Sequence, residues 1–473
     1  MSSISAKSAT EKKKFEFPHT YVIIFSLVLM AVLLTWVVPA GSFERVKDAT
    51  TGKSVILVET FKFVESNPVS VLSVPLKIVK GLNKASSIVF VVLIVGGAFN
   101  VILKTGMFQA LTAKVTKVFA KRETLIIPAF TTIFAMACMS MGVNTFIGFA
   151  PIAIMLARSM GYDAIVGVSM VALGGAIGFS TGTFNPFTTG VAQALAGLPM
   201  FSGVSYRVFC MLVYLVITNL YIINYAKKIK KNPELSYVRD LELREKDLAG
   251  DENQFPDLEK KHYLVLGIVL FHFALLIYGG SNWHWKLNES GAVFLWMAII
   301  GGLAYGFSPN KIATSFVEGA KKLVFGALII GLARAISIIL TDGMILDTAV
   351  FYLGGLLATL PSYLQSIGML FMQLVINGLL TSGSGQAAVT MPIMLPVADM
   401  IGMTRQTAIL AFNFGDGFSN YVLPTSSALM GFLAIANISY DKWMKYMGKL
   451  FLIWIATGSV LIVIANAINF GPF

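Results

Sequence analysis

Four short stretches gather hydroxyl and amide side chains at spacings that could coordinate ions. They are "SMGVNTF" (140–146), "STGTFNPFTT" (180–189), "TSGSGQ" (381–386) and "NYVLPTSS" (420–427). Each carries Gly or Pro, and none carries a charge. Gly and Pro interrupt helices, which frees backbone N–H and C=O groups. The N-terminal ends of half-helices attract anions, while C-terminal ends and unwound carbonyls attract cations such as Na⁺. On this chemistry Asn144, Thr145 and Ser180 in the first half of the chain, and Ser382, Ser384 and Ser419 in the second, are the candidate cation ligands. Asn185, Thr188, Gln386, Thr425 and Ser426 are the candidates to face a solute. The competing explanation is that small residues merely let helices pack closely. Four such stretches in matching positions argue against it.

Two charges sit within apolar sequence. Arg334 falls inside the run 323–341, and Asp416 lies in "FNFGDGFSN". Charges at membrane depth are costly and are either functional or paired. Arg334 is a candidate to hold a carboxylate, and Asp416 a cation or proton; mutual pairing is the plainer alternative. Lys104, at a helix end, is expected to reach the surface, and His272 to be a satisfied core residue. The chain has four His and two Cys (Cys138 and Cys210), with no HExxH or CxxC spacing, so no metal centre or disulfide framework is expected. No Walker-type phosphate loop is present, which argues against ATP-driven chemistry, and no His/Asp/Glu constellation suggests an enzyme.

The elements that must position these residues are membrane helices. Of the 473 residues, 56% are hydrophobic and 13% charged, and the mean hydropathy is +0.76. Soluble domains carry about a quarter charged residues. The expected class is an all-α polytopic membrane protein. The net charge of +12 fits Lys and Arg retained on the cytoplasmic side and requires no nucleic acid. The apolar run after the basic N-terminus is too long for a signal peptide and reads as the first membrane helix.

The chain also resembles itself. "SMGVNTFIGFAPIAIMLARSMGYD" (140–163) aligns without a gap on "TSGSGQAAVTMPIMLPVADMIGMT" (381–404), and "GGAIGFSTGTFNPFTTG" (174–190) matches "GDGFSNYVLPTSSAL" (415–429). This predicts a cytoplasmic tail (1–20) and a first repeat (21–226) with a re-entrant hairpin at 125–157 and a broken helix at 164–198. A cytoplasmic linker (227–261) and an inter-repeat helix (262–279) follow. The second repeat (291–468) has its hairpin at 363–402 and its broken helix at 406–438. About nine transmembrane helices result. With the N-terminus inside, 25 of the 36 Lys and Arg fall on the cytoplasmic side, and Arg334 is the one counted within a span. A single crossing between the repeats inverts the second relative to the first, the plan of secondary transporters with a midplane site.

Four longer motifs carry a family resemblance: "TWVVPAGSFE" (35–44), "MVALGGAIGFSTGTFNPFTTGVAQALAG" (170–197), "TSGSGQAAVTMPIMLP" (381–396) and "LAFNFGDGFSNYVLPTSSALMG" (410–431). They resemble the YfcC family of inner-membrane carriers, related to DcuC-like C4-dicarboxylate carriers and to arginine/ornithine antiporters. More distantly the pattern is similar to the AbgT transporters and the divalent-anion/sodium symporters. The resemblance implies the ion-transporter superfamily fold, a homodimer and elevator motion. Many relatives carry Gly-Met-Gly-Glu-Glu at the first hairpin tip. Here Val143 and Asn144 stand in place of the two acids, which shifts weight from a cationic to an anionic or zwitterionic substrate.

The expected function is therefore secondary transport of small carboxylates, C4-dicarboxylates or amino-acid-like metabolites, in the cytoplasmic membrane. The driving force would be Na⁺, H⁺ or exchange, with no other cofactor. The partners would be a small-molecule substrate, the lipid bilayer and a second copy of the chain. A basic amino acid antiporter is the alternative, and a channel is the alternative from another class.

Overall fold

The computed structural model describes residues 20–47, 54–107, 110, 123–139, 141–185, 188–249, 259–283, 285 and 287–471. The tail up to residue 19, Ser140 at the first tip and Pro186 at the first break lie outside the described residues. The chain begins with α1 (Thr20–Val37), an antiparallel pair β1 (Gly41–Lys47) and β2 (Ser54–Phe63), α2 (Val74–Lys84) and α3 (Ser86–Leu103). The first hairpin is α4 (Ile126–Cys138), a 3-10 stretch (Val143–Phe149) and α5 (Ala150–Ser159). The first broken helix is α6 (Ala164–Thr181) and α7 (Thr189–Leu195), and α8 (Val204–Lys231) closes the repeat. Next come α9 (Arg239–Ala249) and α10 (Lys260–Asn282). The second repeat opens with α11 (Leu287–Tyr305), α12 (Pro309–Asp342) and α13 (Leu346–Thr359). Its hairpin is α14 (Ser362–Leu379) and α15 (Gly383–Met400), its broken helix α16 (Arg405–Ser419) and α17 (Ser427–Ala436), and its last helix α18 (Tyr440–Ala467). Five of the described helices are long and apolar enough to cross a membrane alone: α3, α6, α8, α12 and α18.

The repeats pack reciprocally. Both arms of the first hairpin lie on α6, and both arms of the second lie on α16. The second arm of each hairpin also reaches the second half of the other repeat's broken helix: α15 meets α7, and α5 with its 3-10 stretch meets α17. A two-fold relation between the repeats accounts for this exchange. Their local signals match as well. Asp163 caps α6 by accepting from the Val166 N–H at 3.1 Å, and its aligned residue Thr404 caps α16 by accepting from Thr407 N–H at 3.3 Å. Gly161 and its counterpart Gly402 both adopt positive φ, 76° and 71°, where the chain turns out of each hairpin.

Small residues explain the grip of the first hairpin. α6 is buried along nearly all of its length. A Cβ on Gly174 or Gly178 would overlap backbone atoms of Thr131 or Ala135 in α4. Both pairs are four residues apart, so one face of α4 lies directly on one face of α6. The larger apolar core fills the space among the hairpins, the broken helices, α8 and α18; a smaller one lies among α3, α10 and α11.

Four regions hold more helix or strand than the apolar runs alone specify. Residues 311–322 and the apolar run 323–341 form one helix, α12, of 34 residues. No breaker separates them, and Ser308 caps the start by accepting from the Lys311 N–H. Likewise 440–449 and 450–468 merge into α18. The 40–87 segment carries β1, β2 and α2, and Arg45 ties β1 to Asp347 of α13 at 2.7 Å. α13 itself was not anticipated; its 14 residues rise only about 21 Å, too short to span. Lys104 pairs with Glu318, and His272 hydrogen-bonds to the Ile268 carbonyl at 2.7 Å. Among the described residues Arg334 and Asp416 form no ion pair with each other.

Candidate functional site

The first break starts at Gly182, whose φ of 64° ends α6 in the left-handed region. Asn185 Oδ1 then accepts from the Thr188 N–H at 3.2 Å, a local turn that carries the chain to α7. The second break starts after Ser419. Asn377, from α14, holds it: its Nδ2 donates to the Asp416 carbonyl at 2.8 Å, to Ser419 Oγ at 2.7 Å and to Asn420 Oδ1 at 3.1 Å. Asn420 Nδ2 donates to the same Asp416 carbonyl at 2.8 Å. The carbonyl released where α16 ends is thus satisfied by side chains.

The two breaks meet. A Cβ on Gly417 would overlap Ser180, and one on Gly383, the first residue of α15, would reach 2.9 Å from Asp416 Oδ2 and would also touch Thr188. Gln386 Nε2 donates to the Gln373 carbonyl at 2.9 Å and to Gln373 Oε1 at 2.7 Å. One turn earlier on α16, Asn413 Oδ1 accepts from Thr189 Oγ1 at 3.1 Å and from Arg207 Nη1 at 2.7 Å. Arg207 Nη1 also donates to the Thr181 carbonyl at 3.3 Å, at the end of α6. Ser180, Asn185, Arg207 and Gln386 are 0% exposed and Asp416 is 1% exposed, so this polar cluster lies in the interior. Many of its atoms lack a hydrogen-bond partner: both Asp416 oxygens, Ser180 Oγ, Thr188 Oγ1, Gln386 Oε1 and Thr425 Oγ1 among them. Buried polar groups are nearly always paired, so a place with this many unpaired is suited to a polar ligand.

The structure brings Ser180, Asn185, Thr188, Gln386 and Asp416 to this meeting point. Thr425 joins through its carbonyl, which accepts from Thr381 Oγ1 at 3.4 Å. Ser382 and Ser384 lie at the start of α15, where the Ser382 carbonyl accepts from the Gln386 N–H at 2.6 Å. Two candidates have structural duties: Ser426 Oγ caps α17 by accepting from the Leu429 N–H at 3.4 Å, and Ser419 Oγ donates to the Gly415 carbonyl at 2.6 Å. Asn144 and Thr145 lie in the 3-10 stretch, which packs on α6 and α17; no hydrogen bond links them to the Asp416 cluster, although Asn144 Oδ1 is itself unpaired. Arg334 is half-buried on α12 and makes no hydrogen bond or ion pair to the cluster.

Sequence reasoning missed Arg207, Asn413, Gln373 and Asn377. Arg207 stands near the beginning of an apolar run, "VSYRVFCMLVY", and the structure buries it completely. Gln373 and Asn377 stood out in principle: two amides four residues apart share one face of α14.

Among curated proteins, the chain is 29% identical over 510 residues to the putative basic amino acid antiporter YfcC of Escherichia coli, covering 99% of this chain and 100% of that one. It is 28% identical over 501 residues to an uncharacterized protein of Haemophilus influenzae, with 97% and 98% covered. Two solved structures align along the length: the YdaH transporter of Alcanivorax borkumensis (13% identity, TM-score 0.41, 96% of this chain and 100% of that one) and MtrF of Neisseria gonorrhoeae (16%, 0.40, 97% and 98%). The family described as the C4-dicarboxylate anaerobic carriers matches residues 17–467. A match of that extent takes in both repeats and every residue placed at the breaks, and the chain belongs to this family, DcuC.

Proposed function

We propose that this membrane transporter carries small carboxylates, C4-dicarboxylates or amino-acid-like metabolites among them, by alternating access across the cytoplasmic membrane. The observation that carries the reading is the set of buried, unpaired polar atoms where the two helix breaks meet. Asp416, Ser180 and Thr188 supply oxygens for a coupling cation, Na⁺ or H⁺; Asn144, Thr145, Ser382 and Ser384 lie at the hairpin tips that flank this path. Asn185, Gln386 and Thr425 supply amide and hydroxyl groups for the solute. The hairpins and broken helices move as one body against α1–α3 and α10–α12, and two copies of the chain supply a stable frame for that motion. The distribution of Lys and Arg supports a cytoplasmic N-terminus.

The family description supports a dicarboxylate. The Escherichia coli relative, named as a putative basic amino acid antiporter, supports a second reading, exchange of arginine-like solutes. Val143 and Asn144 at the first tip, where an acidic pair would suit a cation, weigh against it. Purified protein in proteoliposomes decides. Saturable uptake and counterflow of succinate, fumarate or aspartate, stimulated by a Na⁺ or H⁺ gradient, are expected. Counterflow of arginine or ornithine with no response to carboxylates selects the antiporter, and a large unsaturable current selects a channel.

A further inference from the structure

The unpaired atoms at the breaks sort by chemistry. Around Asp416 they are mainly acceptors: its two oxygens, Gln386 Oε1 and Asn377 Oδ1. Around Arg207 they are donors only: Nε and Nη2 of the guanidinium and Nδ2 of Asn413. Arg207 is fully buried, and no carboxylate lies within ion-pair distance of it among the described residues. A guanidinium keeps its charge in proteins, and a buried charge without a counter-charge is expensive.

Part of the guanidinium has a structural duty. Nη1 reaches the Thr181 carbonyl at 3.3 Å and Asn413 Oδ1 at 2.7 Å, which places a cation at the C-terminal end of α6, where the helix dipole favours one. That duty uses one nitrogen. Nε and Nη2 form the side edge of the planar fork, two parallel N–H groups that match the two oxygens of a carboxylate. The Asn413 amide is oriented by its neighbours: its oxygen accepts from Arg207 and from Thr189 Oγ1 at 3.1 Å, so its nitrogen is the end left without a partner.

We infer that Arg207 and Asn413 form a carboxylate-binding subsite at the end of α6, with the Nε/Nη2 edge of Arg207 taking both carboxylate oxygens and Asn413 Nδ2 donating to one of them. This deepens the transporter reading and rests on it for the identity of the solute. The carboxylate role that the sequence suggested for Arg334 passes to Arg207. The acceptor groups around Asp416 lie one helical turn along α16 from Asn413, so a solute anchored at Arg207 presents its other end, or a co-bound cation, to them.

The test is binding, measured apart from transport. Purified full-length protein is titrated with succinate, aspartate and arginine, each of which bears a carboxylate, and with choline chloride as control, following the unfolding temperature and heat of binding. The wild type is expected to bind at least one carboxylate and not choline. Arg207→Gln should raise its Kd by roughly tenfold to a hundredfold, the loss expected for a charge-assisted pair, and Arg207→Lys should recover part of this, since it keeps the charge and loses the fork. Where Gln at this position prevents folding, Asn413→Asp carries the test: its carboxylate pairs with the guanidinium in place, keeps the fold and blocks the subsite. Wild-type affinity in Arg207→Gln or Asn413→Asp overturns the inference, as does the absence of carboxylate binding by the wild type. Binding lost in the variants but no counterflow in wild-type proteoliposomes leaves the subsite standing and removes the transporter reading. Uptake that survives with wild-type KM in both variants does the reverse.

Discussion

Ser180 and Gly417 face each other where the two broken helices cross, one residue before the end of α6 and two before the end of α16. Gly417 has no side chain to hold the helices apart, so Ser180 packs against its backbone. The two repeats therefore touch at the place where each is about to unwind, and the polar groups of both breaks share one interior. A Cβ on Gly417 would overlap both the side chain and the Cα of Ser180. Gly417→Ala is expected to destabilise the protein by about 1–3 kcal/mol, the usual cost of overpacking, and to lower its unfolding temperature in detergent. Gly355→Ala is the control, because nothing lies within 4 Å of the added carbon; a matching loss there would show that the crossing is not tight.

Asn377 joins the second hairpin to the second break through three acceptors. Asn377→Leu keeps the volume and removes all three bonds. The Asp416 carbonyl retains Asn420 Nδ2 as a donor, so a loss of about 1–3 kcal/mol, not collapse, is expected. Hydrogen exchange of the backbone amides at 420–426 should quicken; unchanged protection would mean that the break is held by other contacts.

Asp416 is the buried acid proposed to hold the coupling cation. Asp416→Asn preserves size and removes the charge. Solute counterflow should persist while stimulation by a Na⁺ or H⁺ gradient disappears, as read by uptake with and without each gradient imposed. An unaltered dependence on both gradients would take Asp416 off the coupling path.

Glu242, on α9, accepts from Arg158 Nε at 2.8 Å, from Arg158 Nη2 at 3.2 Å and from the Ala164 N–H at 3.0 Å. One carboxylate in the linker thus ties the exit of the first hairpin to the first turn of α6. A second tie joins α9 to α18, through Lys442 and both oxygens of Asp240. Glu242→Ala should cost about 1–3 kcal/mol by removing the ion pair to Arg158 and the acceptor of the Ala164 N–H, and should speed proteolytic cleavage within the linker. Cleavage at the wild-type rate would show that α9 is held by its other contacts.

Much of the architecture was legible because membrane burial leaves a strong mark. Long apolar runs, an ungapped internal alignment and helix breakers at matching positions specified hairpins and broken helices. Asp163 and Thr404 could be read as caps, since an N-cap is set by a residue and the few that follow it. β1, β2 and α13 were less legible. They are short, and they owe their form to contacts such as Arg45 with Asp347 and Phe61 stacked on Phe351 at 4.0 Å, which join residues some three hundred positions apart.

The site divides along the same line. The residue types at the breaks, and the fact that each half would have one, followed from the sequence, because Gly, Pro and hydroxyl side chains act on the backbone next to them. Which of those side chains would face one another did not follow. Ser419 and Ser426 turned inward to satisfy their own helices, while Arg207 and Asn413, 206 positions apart, were joined by the packing of α8 against the broken helices. Local chemistry decides where a chain unwinds; only the way distant helices cross decides which unpaired donors and acceptors end up sharing one buried space.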